Sequence, residues 1–212
     1  MIYSLKQEKD KLIEEMYEKA MKELDDFYFL GWKHNLPQVI ILKNRKEINE
    51  FYGRKTEGWL VAFAEKNRIF ILDRKKYSKE SSHKYSYEEY SCLLKHELGH
   101  LFFGHLSRGK TVPAWLNEGT QLFVAGQLKT KKQVKKFSNF IEHHNKWGER
   151  VYQESGFAVE LLVKKFSKEK LIRLIKGLRE IHSEKEFNKL FKKIYKFDLN
   201  YKNMNKLLKK LK

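Results

Sequence analysis

Apolar residues recur every three to four positions from residue 3 to residue 30, and Glu and Lys occupy most positions between them. This spacing predicts a long amphipathic helix. The next apolar run, residues 38–42, is short, β-branched and preceded by Pro37, which is typical of a buried strand. Asn44 is a good N-cap for a short helix that ends near Gly53.

Two further strand-like runs follow, at residues 58–64 and 68–72. The short polar segment between them predicts a β-hairpin. After a polar loop at residues 75–85, Ser86 and Glu89 form a capping-box pattern that predicts a helix running to about Leu106. Pro113 fits the first position of another helix, because its fixed φ and missing N–H are tolerated there.

The rest of the chain shows only helical periodicity, and it predicts helices at residues 131–143, 151–166, 168–182, 184–195 and 200–211. The pattern as a whole indicates an α+β protein with a small N-terminal mixed sheet and a helical C-terminal region. No Gly/Ser-rich linker divides the chain, so we expect one domain over residues 1–212. Its parts are a helix-and-sheet part (1–85), a central helical part (86–128) and a basic helical part (129–212).

Charge is distributed unevenly over the 212 residues, whose net charge is +18. Residues 1–106 contain 19 Lys and Arg against 17 Asp and Glu, whereas residues 107–212 contain 26 against 10. A basic half is typical of surfaces that bind nucleic acid or anionic membranes. Most of the basic residues are Lys, however, and proteins that read phosphates and bases favour the planar Arg fork. Solvated Lys-rich helix faces explain the charge at least as well.

Hydrophobic residues make up 41% of the chain, which excludes global disorder. No apolar run approaches the roughly 18 residues of a membrane span, and the first residues lack the apolar stretch of a signal peptide. Cys92 is the only cysteine, so no intramolecular disulfide can form. These features favour a cytoplasmic protein without a transmembrane segment.

The helix predicted from Ser86 contains an H-E-x-x-H motif, His96-Glu97-Leu98-Gly99-His100. Two His four positions apart are rotated by only about 40° and rise about 6 Å, so both can reach one metal ion. Zinc takes such neutral imidazole ligands, and Glu97 can approach the water on the ion without binding the ion itself. Glu118 can supply a third ligand and leave the fourth position open for water.

The H-E-x-x-H motif, the Leu-Phe-Phe-Gly that follows it and the Trp-Leu-Asn-Glu-Gly at residues 115–119 resemble the zinc core of the gluzincin metallopeptidases. The chain looks most like aminopeptidase-N-like enzymes and small peptidase-MA-like proteins, over about residues 58–166. The resemblance implies a zincin-like fold, one Zn²⁺ ion per chain and a peptide or protein substrate. It makes Glu97 the general base, and it assigns the zinc ligands to His96, His100 and Glu118.

Two departures from the aminopeptidase pattern bear on the substrate. Only 17 residues separate His100 from Glu118, one fewer than is usual, which a shorter loop around residues 108–110 would explain. Aminopeptidases of this group also hold the substrate amine with a Glu on the strand before the zinc helix, and residues 58–62 contain no carboxylate. We therefore expect an endopeptidase or processing enzyme that binds an extended peptide along this strand. The candidate contacts are Trp59, Leu60, Val61, Ala62 and Phe63.

Peptide hydrolysis also needs a donor for the tetrahedral oxyanion. The resemblance places a Tyr or His downstream of the zinc site, and Tyr152 is the best candidate, although it could equally be a core aromatic. His143 and His144 are alternatives, and both also fit an exposed helix end. Cys92 precedes His96 by one helical turn, but a lone helical Cys is usually a small buried hydrophobe.

Two other hypotheses remain open. The two His and Glu118 could form a structural zinc site or a site without metal, although a structural site does not need Glu97. Alternatively, the chain is a basic scaffold whose residues 129–212 contact nucleic acid or an anionic membrane; the lysines at residues 129–136 and 206–212 support this reading. If the basic half instead lines a peptidase cleft, acidic residues are expected near the cleavage site.

Overall fold

The computed structural model describes residues 7–145 and 151–210, and for residues 151–153 it describes the backbone only. Within these ranges the α-helices are α1 (Lys11–Tyr28), α2 (Arg45–Tyr52), α3 (Tyr77–Glu80), α4 (Tyr87–Ser107), α5 (Ala114–Val124), α6 (Val151–Phe166), α7 (Lys168–Gly177), α8 (Glu184–Tyr195) and α9 (Tyr201–Lys209). The strands are β1 (Gln38–Leu42), β2 (Ala62–Glu65) and β3 (Arg68–Leu72). Short 3₁₀ helices cover Gln127–Thr130 and Leu178–Glu180. Among the described helices, none combines the length and the apolar character needed to cross a bilayer.

The three strands form one mixed sheet in the order β1, β3, β2. β1 runs parallel to β3, and β2 runs antiparallel to β3. The outer edge of β2 is therefore not covered by any described strand. The predicted α+β class, with a small mixed sheet followed by helices, is confirmed.

Helix α4 occupies the centre of the fold and packs against α1, α5, α7 and strand β2. It begins where predicted, because the Ser86 hydroxyl accepts the Glu89 N–H at 3.0 Å. Leu94, Leu98 and Phe102 on its inner face have no exposed surface. Burying side chains of this size contributes about 1.5–3 kcal/mol each, so the helix is held firmly in place.

Most predicted elements are confirmed, including the strands at 38–42 and 68–72, the hairpin between β2 and β3, and the helices beginning after Asn44 and Ser86. Helices α6 and α8 also have the predicted bounds. Three helices are shorter than predicted. α7 ends at Gly177 and continues as a 3₁₀ turn, and α9 ends at Lys209. α1 begins at Lys11, because the Asp10 carboxylate accepts the N–H groups of its first turn.

Strand β2 begins at Ala62 rather than at residue 58, and Arg45 accounts for the difference. Its guanidinium lies against the preceding segment and donates to the carbonyl oxygens of Glu57, Gly58 and Leu60. These bonds fix residues 57–60 in an irregular conformation, since their carbonyl groups are occupied by a side chain instead of by a neighbouring strand.

The helix predicted at residues 131–143 is wrong, since this segment is irregular. Its backbone groups are satisfied by other parts of the chain. The Glu154 carboxylate accepts the N–H groups of Ser138, Asn139 and Phe140 at 2.8 to 3.3 Å. Long-range bonds of this kind replace the helical ladder, and local periodicity carries no sign of them.

Candidate metal centre

Helix α4 carries both histidines of the motif on the face opposite its buried leucines. His96 is buried and His100 is half-buried, with the two ring centroids 4.9 Å apart. Both rings face a cleft with a volume of about 1700 Å³. The four-residue spacing in a regular helix therefore does what the sequence predicted, because it aims two imidazoles at one point.

Helix α5 brings Glu118 to the same point. The N–H groups of Ala114 and Trp115, at the start of the helix, donate to the carbonyl oxygens of His144 and His143 at 2.9 and 3.1 Å. The irregular segment thus supplies partners for groups that a helix N-terminus leaves unpaired. Glu118 follows one turn later and is 4% exposed.

The ligand atoms of His96, His100 and Glu118 all lie within 4.8 Å of one another. The two Nε2 atoms are 3.2 Å apart. The Glu118 carboxylate lies 3.4 Å from the first of them and 3.6 Å from the second. No other group of three or more His, Cys, Asp or Glu in the described part of the chain could hold a metal ion.

The outer nitrogens of the two rings define which atoms face the cleft. His96 Nδ1 lies 2.9 Å from Oε1 of Gln127, and His100 Nδ1 lies 3.0 Å from Oδ1 of Asn117. Asn117 is oriented in turn by Gln121, which donates to Oδ1, so that this atom is an acceptor. Amide oxygens as partners favour the proton on both Nδ1 atoms, which leaves both Nε2 atoms free to bind a metal ion.

This arrangement fits a metal ion. The Nε2 lone pairs of two neutral imidazoles repel one another when the Nε2 atoms are 3.2 Å apart, unless a cation or a proton lies between them. Glu118 Oε2 is buried without a hydrogen-bond partner among the described residues. A tetrahedral ion with ligand bonds of about 2.0–2.1 Å separates its ligand atoms by about 3.3–3.4 Å, which is close to the separations observed. The three residues could therefore hold one metal ion.

Charge coupling between the ligands shows in their pKa values. Burial lowers the pKa of His96, but the adjacent carboxylate of Glu118 outweighs it, and the pKa is raised. Burial raises the pKa of Glu118, but the charges of His100 and His96 outweigh it, and the pKa is lowered. Without an ion, the cluster therefore tends to keep a proton between imidazole and carboxylate. A metal ion would replace that proton.

Glu97 stands apart from this group of three. It is 8% exposed, lines the same cleft and lies near the backbone of Ala64 in β2. Burial raises the pKa of Glu97, and the neighbouring histidines lower it without cancelling the effect. The structure thus holds a buried carboxylate beside the candidate metal centre, as the motif predicted.

The other predicted site residues fall into two groups. The expected substrate contacts Trp59, Leu60, Val61, Ala62 and Phe63 all line the cleft. Tyr152 lies in the first turn of α6, but its side chain is outside the described part of the structure. His143 and His144 do not line the cleft and lie in the irregular segment, His143 half-buried and His144 buried against Phe187, so the prediction of an exposed helix end is wrong for both. Cys92 is half-buried and lines the cleft without joining the metal group.

Sequence reasoning missed Gln127, Gln121 and Tyr52. Gln127 and Gln121 lie outside any recognisable motif, and only the fold brings them to the histidines. Tyr52 ends α2, lines the cleft and is 39% exposed, with its ring edge-on to Phe63 at 5.0 Å. An exposed aromatic at a helix end was a weak signal that the sequence did contain.

Comparison of the chain with protein-family models, with curated proteins and with solved structures finds no significant match. The functional interpretation therefore depends on the residues of the cleft and on their geometry.

Proposed function

We propose that the protein is a zinc metallopeptidase with a zincin-like catalytic core. One Zn²⁺ ion would be held by His96, His100 and Glu118, and Glu97 would act as the general base. The observation that carries the proposal is the pair of imidazole Nε2 atoms facing each other at 3.2 Å, with the buried carboxylate of Glu118 at 3.4 and 3.6 Å from them. Such a cluster is costly to assemble unless an ion binds there.

The donor set favours zinc and a catalytic site. Two neutral imidazoles and one carboxylate are the ligands of known hydrolytic zinc sites, and three protein ligands leave one position open. When bound, the ion polarises a carbonyl group and lowers the pKa of water towards about 7. A structural site would close the fourth position with another side chain, and the described residues offer none.

We infer that Glu97 moves protons. Its carboxylate lines the cleft near the backbone of Ala64, beside the imidazoles but outside the metal group. It would take a proton from the attacking water and pass it to the leaving amine. Tyr152 is the proposed donor to the oxyanion, and replacing it with Phe should lower kcat more than it changes KM.

Strand β2 supports a peptide substrate. The Leu72 N–H donates to the carbonyl oxygen of Val61 at 2.8 Å, so residues 61 and 72 form a hydrogen-bonded pair. In an antiparallel ladder such pairs alternate with pairs that are not hydrogen-bonded. The backbone N–H and C=O groups of Ala62 and Ala64 therefore point away from β3. An extended peptide could pair with these groups. Residues 58–62 lack a carboxylate that would hold a free amine, which favours an endopeptidase or processing enzyme.

Metal analysis and one substitution test the proposal together. The purified protein should contain one zinc per chain and cleave peptides, and Glu97→Gln should keep the zinc and lose at least about a thousandfold in kcat. His96→Ala with His100→Ala is the matched control that should lose the metal as well.

A metal-free protein, or a Glu97→Gln variant that cleaves peptides as fast as the wild type, would contradict the proposal. Salt-sensitive binding of DNA or anionic lipid by a metal-free protein would instead support the basic scaffold. A cytoplasmic location belongs to the same proposal, since a single cysteine suits a reducing compartment.

A further inference from the structure

The cleft has two chemically different walls because of the geometry of α4. Lys95, His96 and Glu97 are successive residues, so their side chains leave the helix about 100° apart. Glu97 reaches the β2 side, where it meets Ala64. Lys95 reaches the α1 side, where it pairs with Glu23. The candidate metal centre therefore lies between a β2 wall and an α1 wall.

Lysines carry most of the unpaired charge of the cleft. Of the carboxylates that line it apart from Glu97 and the metal centre, Glu23 pairs with Lys95 and Glu89 lies 3.2 Å from His83, which leaves Glu88. We call Lys19, Lys95, Lys129 and Lys131 the lysine wall, since all four line the cleft. Three of them are exposed and form no ion pair within the described ranges, and Lys95 shares its charge with Glu23. Lys129 lies in the 3₁₀ helix that begins with Gln127, the partner of His96. Lys129 thus follows, by two residues, a side chain that contacts the candidate metal centre.

Exposed aromatic side chains line the cleft as well. We call Tyr52, Trp59 and Tyr87 the aromatic wall, and these three are 39%, 47% and 38% exposed. They make up half of the six large apolar side chains that the described residues expose in this way. All three line the cleft. Apolar surface concentrated in a cleft beside a reactive centre is typical of a binding site.

We propose that the cleft selects acidic peptides that also carry a large apolar side chain near the bond to be cleaved. The lysine wall would attract the carboxylates, and the aromatic wall would cover the apolar side chain. This inference rests on the proposed function. Unpaired ammonium groups lining a concave surface raise the local concentration of anions and speed their association.

Binding can be measured separately from cleavage. Glu97→Gln loaded with zinc is titrated against three labelled peptides of equal length, each with one Phe and with Glu, Gln or Lys at the flanking positions. Fluorescence anisotropy should show at least about tenfold tighter binding of the Glu peptide than of the Gln peptide, with the Lys peptide weakest. The preference should shrink as salt rises from about 0.05 to 0.5 M, because salt screens exposed charges.

A double lysine variant in the cleft is compared with a double lysine variant outside it. Lys129→Gln with Lys131→Gln should weaken binding of the Glu peptide about three- to tenfold and leave the Gln peptide unchanged. Lys185→Gln with Lys189→Gln removes the same charge from α8, outside the cleft, and should change binding less than twofold. Trp59→Ala should weaken the binding of peptides that contain Phe, and it should leave unchanged the binding of peptides in which Ala replaces that Phe.

The two proposals can fail separately. Equal binding of the Glu and Gln peptides, equal losses in the two double variants, or no binding of any peptide would overturn the acidic specificity. Selective binding of the Glu peptide by Glu97→Gln, together with no cleavage by the wild type, would support the specificity and refute the peptidase. Cleavage without a preference for acidic peptides would do the reverse.

Discussion

Each histidine of the candidate metal centre bonds through its outer nitrogen to a neutral amide. A carboxylate in that place would add negative charge to the ligand and raise its basicity. With amides, the ligand set carries only the charge of Glu118, and a divalent ion would keep more of its positive charge. Gln127 and Asn117 therefore fix the orientation of the two rings, and they would not weaken a bound ion as a Lewis acid.

Gln127→Ala tests this role. Loss of the amide frees the His96 ring to rotate and to change tautomer, so zinc affinity should fall about ten- to hundredfold. Competition with a chromogenic chelator measures the affinity. Gln133→Ala, at an exposed position six residues further on, is the control and should bind zinc as the wild type does. Equal affinity of the two variants would show that Gln127 does not support the centre.

At the scale of elements, the position of Glu118 depends on how closely α5 and α6 approach. A Cβ at Gly119 would lie 2.5 Å from the carbonyl oxygen of Ser155 and 3.0 Å from the Val159 side chain. Backbone atoms of a packed helix cannot move aside cheaply. Glycine is therefore required next to the proposed zinc ligand.

Gly119→Ala should lower the free energy of unfolding by about 1–3 kcal/mol, because the helices must separate to admit the methyl group. It should also lower zinc affinity, since Glu118 moves with its helix. Gly104→Ala is the matched control, because its Cβ would meet nothing within 4 Å, and it should stabilise α4 by about 0.5–1 kcal/mol. Urea denaturation measures the free energy of unfolding of the two variants. A neutral Gly119→Ala would contradict the close approach of α5 and α6.

The irregular segment that replaces the helix predicted at residues 131–143 is held by Glu154. This buried carboxylate accepts three backbone N–H groups and the Ser138 hydroxyl. The same segment supplies the carbonyl oxygens that bond to the start of α5. Glu154 thus stabilises the helix that carries Glu118 without lying in the cleft.

Glu154→Gln keeps the shape but removes the charge and turns an amide NH₂ towards N–H donors. The free energy of unfolding should fall by about 1.5–3 kcal/mol, the usual range for hydrogen bonds to a charged group. Glu160→Gln on the same helix removes a partly exposed pair with Lys164 and should lower the free energy of unfolding by less than about 1 kcal/mol. Thermal or urea unfolding of the two variants under identical conditions decides the matter; equal stabilities would refute the role of Glu154.

At the scale of the whole molecule, the sequence correctly predicted the features that depend on residues close together in the chain. Side-chain caps such as Ser86 and Asn44 placed helix starts correctly, and the four-residue spacing of the histidines placed their rings. The sequence did not predict the features that depend on contacts between distant residues. The Glu154 bonds abolish one helix, Arg45 shortens β2, and Gln127 reaches His96 across 31 positions. No periodicity encodes such pairings, because they depend on the packing of elements that are far apart in the chain.

The candidate metal centre lies between helices from the nearly neutral half and the basic half of the sequence. α4 belongs to the nearly neutral first half of the sequence, whereas α5 and Glu118 belong to the basic second half. A bound ion would therefore tie the two halves together. It would bridge helices that already pack on one another, and it would also neutralise the negative charge of Glu118, whose buried carboxylate is costly without a partner.

Removal of the metal should destabilise the whole fold, because an ion that binds only the folded chain stabilises it by mass action. At about a thousand times its dissociation constant the gain is about 4 kcal/mol, which corresponds to a Tm difference of about 8–16 °C for a chain of this size. Calorimetry with and without a chelator measures it. His96→Ala with His100→Ala should show no response to the chelator, while Glu97→Gln should respond as the wild type does, since Glu97 is not a ligand in this proposal. A wild-type Tm unchanged by the chelator would mean that no ion connects α4 to α5.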